Sequence, residues 1–164
     1  MSFRVGHGYD VHRLVKGKPL VLGGVLIGFK KGLLGHSDAD VLVHAIMDAL
    51  LGAAGLGDIG RHFPDSDVAY EDVSSIILLE RVGELLQMNS CRVKNIDSTI
   101  IAEKPKLSPY VNDMKENISQ VLKLSFDSIN IKATTEEGLG FSGKKKGIAA
   151  HAVCLVERRS HEDL

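Results

Sequence analysis

One segment limits what this chain can become: ADVLVHAIMDALLGAAG, residues 39–55. It is apolar at nearly every position and reads as a helix that has to be packed inside the fold. The glycines of LLGAAGLGDIG break it well short of a membrane span. Only Asp40, His44 and Asp48 interrupt it, and their four-residue spacing lines them up as one polar seam. Ser37, with Asp40 three residues on, reads as the N-cap and first-turn acid. GLGDIG (Gly55–Gly60) ends the helix and permits a tight turn. The same letters match a dinucleotide fingerprint, but they follow a helix rather than a strand, and Asp58 would face the pyrophosphate. That reading is rejected.

Strands surround this helix. Residues 3–12 alternate as a first strand, and PLVLGGVLIGF reads as a hairpin turning at Gly23-Gly24. KKGLLGHS follows as a glycine-bearing loop. Ile77, Leu78, Val82, Leu85 and Leu86 recur at helical spacing over residues 74–88. CRVKNIDSTIIAE is a strand, residues 108–124 form a third helix opened by Pro109, and SINIKAT and GIAAHAVCLVE are the last strands. With 164 residues and no linker or repeat, the expectation is one domain over 1–164. Its fold class is α+β: a two-layer sandwich with a mixed four-stranded main sheet, a small hairpin, and helices on one face.

Composition narrows the partners. Lys plus Arg number 20 against 21 Asp plus Glu, so no broad basic field exists to hold nucleic acid or an anionic membrane. The two cysteines, Cys91 and Cys154, cannot build a disulfide framework and read as free thiols in buried strands of a reducing compartment. MSFRVGHGYDVH lacks the apolar core of a secretory signal, which makes a cytoplasmic protein the expectation. Seven histidines against two cysteines direct any metal site toward nitrogen and oxygen ligands.

Asp10 and His12 are two apart on a strand and leave the same face, whereas His7 has the opposite parity. His44 on the apolar helix would supply a second imidazole, and a buried acid of the seam would orient its other ring nitrogen. Two histidines and a carboxylate leave the fourth tetrahedral position of a zinc ion open. The acids of GDIGRHFPDSD can accept from sugar or polyol hydroxyls. ATTEEGLGFSGKKKG, at a strand end, combines hydroxyls and glycine amides for phosphate with an acid for a hard cation. The exposed backbone of EKPKLSP can read a nucleobase edge. None of these groups is an activated nucleophile.

GHGYDVHRL, GLLGHSDADVLVHAIMDALLGAAGLGDIGRHFPDSD, DSTIIAEKPKLSPY and NIKATTEEGLGFSGKKKGIAAHAV together resemble the 2-C-methyl-D-erythritol 2,4-cyclodiphosphate synthases, in order and over essentially the whole chain. That resemblance implies a homotrimer of α+β subunits with interfacial active sites, acting in non-mevalonate isoprenoid precursor synthesis. The implied substrate is 4-diphosphocytidyl-2-C-methyl-D-erythritol 2-phosphate, cyclised with loss of CMP. It implies one Zn²⁺ per subunit on Asp10, His12 and His44, with Asp10 and His12 also touching substrate. His36 and Ser37 would contact the erythritol phosphates. Asp58, Ile59, Gly60, Phe63, Pro64, Asp65 and Asp67 would hold the methylerythritol, Asp65 above all. Ala102, Glu103, Lys104, Pro105, Lys106 and Leu107 would receive cytosine from a neighbouring subunit. Ala133, Thr134 and Thr135 would bind the diphosphate, Glu137 would ligate Mg²⁺ or Mn²⁺, and Phe141 and Lys144 complete the implied contacts. His36 and Thr135 carry the catalytic assignment, as the groups that hold the transferring phosphate most tightly at the transition state.

Two departures from that family pattern stand out. Lys144 and Lys146 occupy positions where an arginine and a glutamate are usual, near a central channel that holds an isoprenoid diphosphate in some members. Lysine pairs with phosphate but lacks the bidentate fork of arginine. His151 stands where an acid is expected. The metal constellation by itself would equally serve a zinc-dependent phosphoester hydrolase, and the binding segments a non-catalytic trimeric nucleotide- or isoprenoid-binding module.

Overall fold

A computed structural model describes residues 2–64 and 66–159. In chain order its elements are β1 (Ser2–Lys16), β2 (Leu20–Leu22), β3 (Val25–Ile27), β4 (Lys31–Leu34), α1 (Val41–Ala54), α2 (Ile59–His62), α3 (Ser75–Met88), β5 (Cys91–Ile101), α4 (Val111–Leu122), β6 (Ile129–Thr134), α5 (Gly140–Gly143) and β7 (Gly147–Arg158). The main sheet has five strands in the order β4-β1-β7-β5-β6, and β2 and β3 form a separate two-stranded hairpin. Among the described residues only β5 and β6 pair in parallel; the other neighbouring pairs are antiparallel.

The four long strands and the hairpin lie where the periodicity placed them, and Gly23 and Gly24 both take positive φ, as a two-residue hairpin turn requires. The fifth strand is a correction. KKGLLGHS is not wholly loop: Lys31–Leu34 pairs with Arg13–Lys16, because β1 continues past His12 to Lys16 and offers a partner edge. A four-residue segment containing glycine carries no periodic signal, so its extended state comes from that pairing. The third helix is also divided, with a 3-10 turn over Ser108–Tyr110 leading into α4.

The helix cap differs as well. Asp40, not Ser37, caps α1: its fully buried carboxylate accepts from Val43 N at 3.1 Å, and from Gly23 N at 3.0 Å and Gly24 N at 2.7 Å in the hairpin turn. One side chain thus ends the helix and ties the small sheet to it. Burial, with Asp38 nearby, pushes that carboxyl up to about 6 despite the three amides.

α1 packs on β1 and β7, and its approach is set by residues without side chains. Gly6, Gly8, Asp10, His12 and Leu14 share one face of β1. A Cβ on Gly6 would collide with the Ala49 carbonyl oxygen, and one on Gly8 with that of Ala45. Two strand residues advance about 6.8 Å and four helical residues about 6 Å, so strand and helix stay in step in opposite directions. The next position along β1 after Gly8 is Asp10, and the next turn of α1 toward its start carries the residues around His44. Among the described residues no helix covers the other face of this part of the sheet, and Phe3 (61% exposed), Val5 (70%), Tyr9, Val11 and Val153 lie open on it.

Gly8→Ala is expected to lower the unfolding free energy by about 3 kcal/mol or more, because the collision is with helix backbone that has to move as a unit. Urea unfolding checks this. A loss below about 0.5 kcal/mol, the range of an ordinary surface substitution, would show that α1 can back away from the sheet freely.

Candidate metal centre and substrate pocket

Asp10, His12 and His44 converge, each offering one ligand atom. His12 Nε2 lies 3.0 Å from Asp10 Oδ2, His44 Nδ1 lies 2.9 Å from that same oxygen, and the two nitrogens are 3.2 Å apart. Tetrahedral zinc with bonds of 2.0–2.1 Å has ligand–ligand edges of about 3.3 Å, so one ion bridges these atoms with small adjustments. The donor set also fits chemically: two imidazoles and a carboxylate suit Zn²⁺ and its first-row neighbours, and the arrangement leaves an open coordination position.

The remaining nitrogens decide which lone pairs face the site. His12 Nδ1–H donates to the Leu34 carbonyl at 2.9 Å, which leaves the Nε2 lone pair for the metal position. Around His44 the logic runs through a serine. Asp38 accepts from Ser75 N, the Ser75 hydroxyl and Asp40 N, so the carboxylate is acceptor only and Ser75 must donate to it. Ser75 Oγ is then left to accept from His44 Nε2–H at 2.9 Å, with Ser37 Oγ beside it at 3.1 Å. His44 Nδ1 therefore presents its lone pair to the metal position. The expected seam acid does not do this: Asp40 is spent on caps, and Asp48 accepts from Ile59 N at 2.8 Å, anchoring the start of α2. Burial alone would raise the Asp10 carboxyl, but the His12 and His44 side chains against it outweigh that and hold it well below the usual carboxylate range. It meets a cation already ionised. Burial raises Asp48 instead, so Asp10 and Asp48 are shifted in opposite directions.

A cavity of about 330 Å³ opens beside these ligands. Among the residues expected to bind substrate, His36, Ser37, Ile59, Gly60 and Phe63 line it together with Asp10, His12 and His44. Asp58 caps α2 by accepting from Arg61 N, and Asp67 caps the turn over Val68–Tyr70 while its carbonyl lies 3.3 Å from His36 Nε2. Pro64 is exposed nearby, and Asp65 lies outside the described residues. The sequence reading missed the wall formed by Leu34, Gly35, Met47, Tyr70 and Leu78, and the support from Ser75 and Asp38. Met47 and Leu78 look like any core position on an apolar helix face, and Ser75 looks like a helix-start serine. No signal in the chain separates them.

The other expected residues sit elsewhere. Ala102 N bonds Thr134 O at 3.0 Å, which joins the Ala102–Leu107 segment to the end of β6, where Ala133, Thr134, Thr135 and Glu137 lie. Register makes Thr134 level with Ile101, Ile101 with Ala149, and Ala149 with Val11. The group therefore lies at the same end of the sheet as Asp10 and His12, with the end of β6 three strands across from β1, about 14 Å, and the Ala102–Leu107 segment after β5 two strands across, about 10 Å. Phe141 is 40% exposed on α5, and Lys144 closes that helix. None of these residues lines the cavity. One chain holds the two groups apart.

Ser75→Ala is expected to weaken zinc binding by roughly 10- to 100-fold, through loss of the acceptor that selects the His44 tautomer. Competition against a chelator measures it. Unchanged affinity would assign that selection to Ser37 alone.

Comparison with known proteins follows the same lines. The YgbB family model matches residues 3–157. The 2-C-methyl-D-erythritol 2,4-cyclodiphosphate synthase of Clostridium botulinum is 61% identical over 154 residues, 94% of this chain and 99% of that protein. Among solved structures, the bifunctional IspDF from Campylobacter jejuni superposes with a TM-score of 0.93 at 40% identity; the match covers 97% of this chain and 43% of that larger one. The CDP complex of IspF from Plasmodium falciparum superposes with a TM-score of 0.84 at 36% identity over 97% of this chain and 98% of that one. On sequence and fold together, the chain belongs to the YgbB family.

Proposed function

We propose that this chain, as one domain over residues 1–164, converts 4-diphosphocytidyl-2-C-methyl-D-erythritol 2-phosphate to 2-C-methyl-D-erythritol 2,4-cyclodiphosphate. The observation that carries the reading is the convergence of Asp10, His12 and His44 at the edge of a cavity, in a chain 61% identical to a synthase of that name. An oxygen of the 2-phosphate attacks the β-phosphorus, the bond from that phosphorus to the bridging oxygen breaks, and CMP leaves with the oxygen. The nucleophile arrives on the substrate, so the residues have to position and neutralise rather than activate.

Zn²⁺ on the triad would supply a fixed positive charge to the β-phosphate oxygens, and Mg²⁺ or Mn²⁺ at Glu137 would do so for the α- and β-phosphates. Asp10, already ionised, and the two oriented imidazoles give the first cation its seat. His36 and Ser37, on the loop before α1, line the cavity and are assigned to the erythritol phosphates. The apolar wall of Met47, Phe63 and Leu78 would limit the water able to compete as nucleophile. Thr134, Thr135 and Glu137 are assigned to the diphosphate, Phe141 and Lys144 beside them, and Ala102–Leu107 to cytosine.

The last assignments need a second chain. Within one subunit the diphosphate residues lie about 14 Å across the sheet from β1, and the cytosine segment about 10 Å. The helix-free face, with Phe3, Val5, Tyr9, Val11 and Val153, is the apolar surface a partner would cover. Both features support a homotrimer whose active sites are completed by neighbouring subunits. An isoprenoid diphosphate in the channel between the three subunits would be met by Lys144 and Lys146, which pair with phosphate without arginine's bidentate fork. Among the described residues no helix is long and apolar enough to cross a membrane. The buried free thiols of Cys91 and Cys154 accord with a cytoplasmic setting.

Protein supplied with Zn²⁺, Mg²⁺ and the cytidyl substrate is expected to release CMP in equal amount to the cyclic product, followed by phosphorus NMR. Inorganic phosphate in place of the cyclic product would make the protein a hydrolase, and absence of turnover with retained nucleotide binding would make it a binding module. Glu137→Ala should lower turnover, with partial recovery at raised Mg²⁺; no recovery would remove Glu137 from the cation site. Light scattering should give three chains per particle at working concentration, and a monomer with full activity would refute the interfacial site.

A further inference from the structure

None of the four residues of α2 is buried, yet Ile59 and Gly60 line the cavity. Ile59 packs only partly against the core, so apolar contact does little to fix where this turn stands. The loop leading into it adds freedom, because Gly55 and Gly57 both take positive φ. Leu56 N bonds Leu51 O at 2.9 Å, and His62 Nε2 lies 2.9 Å from Leu56 O, so these ties hold the loop to the end of α1, well past His44. Asp58 caps the turn from within, accepting from Arg61 N at 3.0 Å. One bond reaches farther back. Ile59 N–H, a helix-start donor without an acceptor inside α2, donates to Asp48 Oδ1 at 2.8 Å.

Asp48 follows His44 on the polar seam of α1, one turn and about 6 Å further along the axis. We propose that Asp48 is a positioning residue: through Ile59 N–H it sets where the Asp58–Gly60 backbone stands relative to His44, and so fixes the span between the phosphate end and the polyol end of the substrate that the site accepts. This rests on the cyclisation reading, which assigns that backbone to the methylerythritol. Asp48 does not line the cavity, so it acts through Ile59 and not by touching substrate. Its surroundings favour an acceptor there over a charge. Burial raises the Asp48 carboxyl, and Asp58 and Asp10 nearby add to the shift. The polyol hydroxyls carry no new charge as the reaction proceeds. A displaced loop therefore weakens bound substrate and transition state alike, which shows in KM rather than kcat. The alternative role is purely structural, a tie that stabilises the fold and leaves substrate affinity alone.

Steady-state kinetics of the metal-replete full chain with the cytidyl substrate separates the two roles. Asp48→Ala is expected to raise KM about tenfold or more and to leave kcat within about threefold. Its zinc affinity, by chelator competition, should not change, which also shows that the variant is folded. Asp48→Asn keeps a carbonyl oxygen for Ile59 N–H and should bring KM back to within about threefold of the original chain. Hydrogen exchange at the Ile59 amide, in protein without substrate, should quicken about tenfold or more in Asp48→Ala and recover in Asp48→Asn. Unchanged KM in Asp48→Ala, zinc affinity lost together with KM, or Asp48→Asn no better than Asp48→Ala would each overturn the assignment. An original chain without turnover sinks the cyclisation reading and this assignment with it. An active original chain whose Asp48→Ala variant keeps its KM sinks the assignment alone.

Discussion

The distance between α1 and β1 governs most of what this molecule can do. It is short because Gly6 and Gly8 put nothing between strand and helix, and because β7 presents Ala150 and Ala152 beside them. Close packing of this kind gives dispersion contact with little conformational entropy to lose, since neither glycine nor alanine has rotamers to freeze. It also has a geometric consequence. A helix resting directly on the sheet brings a side chain of ordinary length, that of His44, level with strand side chains two positions beyond the last glycine. A bulkier floor would lift His44 away from Asp10 and His12, and the three ligand atoms would no longer share one ion.

The polar seam of α1 is where packing and chemistry meet. A helix with Val41, Leu42, Ile46, Met47, Leu50 and Leu51 fully buried can carry polar groups only if each is satisfied. Asp40 is satisfied by three amides, Asp48 by Ile59 N, and His44 by serine on one side and the metal position on the other. The three interruptions therefore tie the hairpin, the metal ligands and the loop of α2 to a single rigid element. Rigidity at this helix is what positioning catalysis requires, because no side chain in the pocket is a strong nucleophile.

Much of this was legible in the chain. The period-two parity of Asp10 and His12, and the four-residue step from Asp40 through His44 to Asp48, pointed to the same three ligands the structure gathers. The hairpin and the four long strands were equally clear, since their glycine turn and alternation are local signals. What escaped was non-local. β4 is strand only because β1 outruns its own pattern, and Asp40 displaces Ser37 as cap because the hairpin amides sit above the helix start. Ser75 reaches His44 from a helix 31 residues away, a contact that sequence spacing cannot encode. The wall of Tyr70 and Leu78 was hidden for the same reason: in sequence these are unremarkable apolar positions, and their role comes from where α3 and the preceding turn are folded.

Charge placement explains why such a site can serve an anion-rich substrate in a chain with 20 basic and 21 acidic residues. Net charge offers no attraction, so positive potential has to be local. The cavity contributes imidazoles rather than lysines, and beside them an aspartate that burial would otherwise neutralise. Left alone, that arrangement is unfavourable for phosphate, because Asp10 adds negative charge where oxygens must approach. It becomes favourable only when a divalent cation sits among the three ligands and inverts the sign of the site. The two histidine tautomers are set to leave lone pairs facing inward, which favours metal at that point. The hydrogen bonds behind the ligands, from Leu34 to His12 and through Ser75 and Asp38 to His44, thus decide whether the pocket reads as an acidic cleft or as a phosphate site.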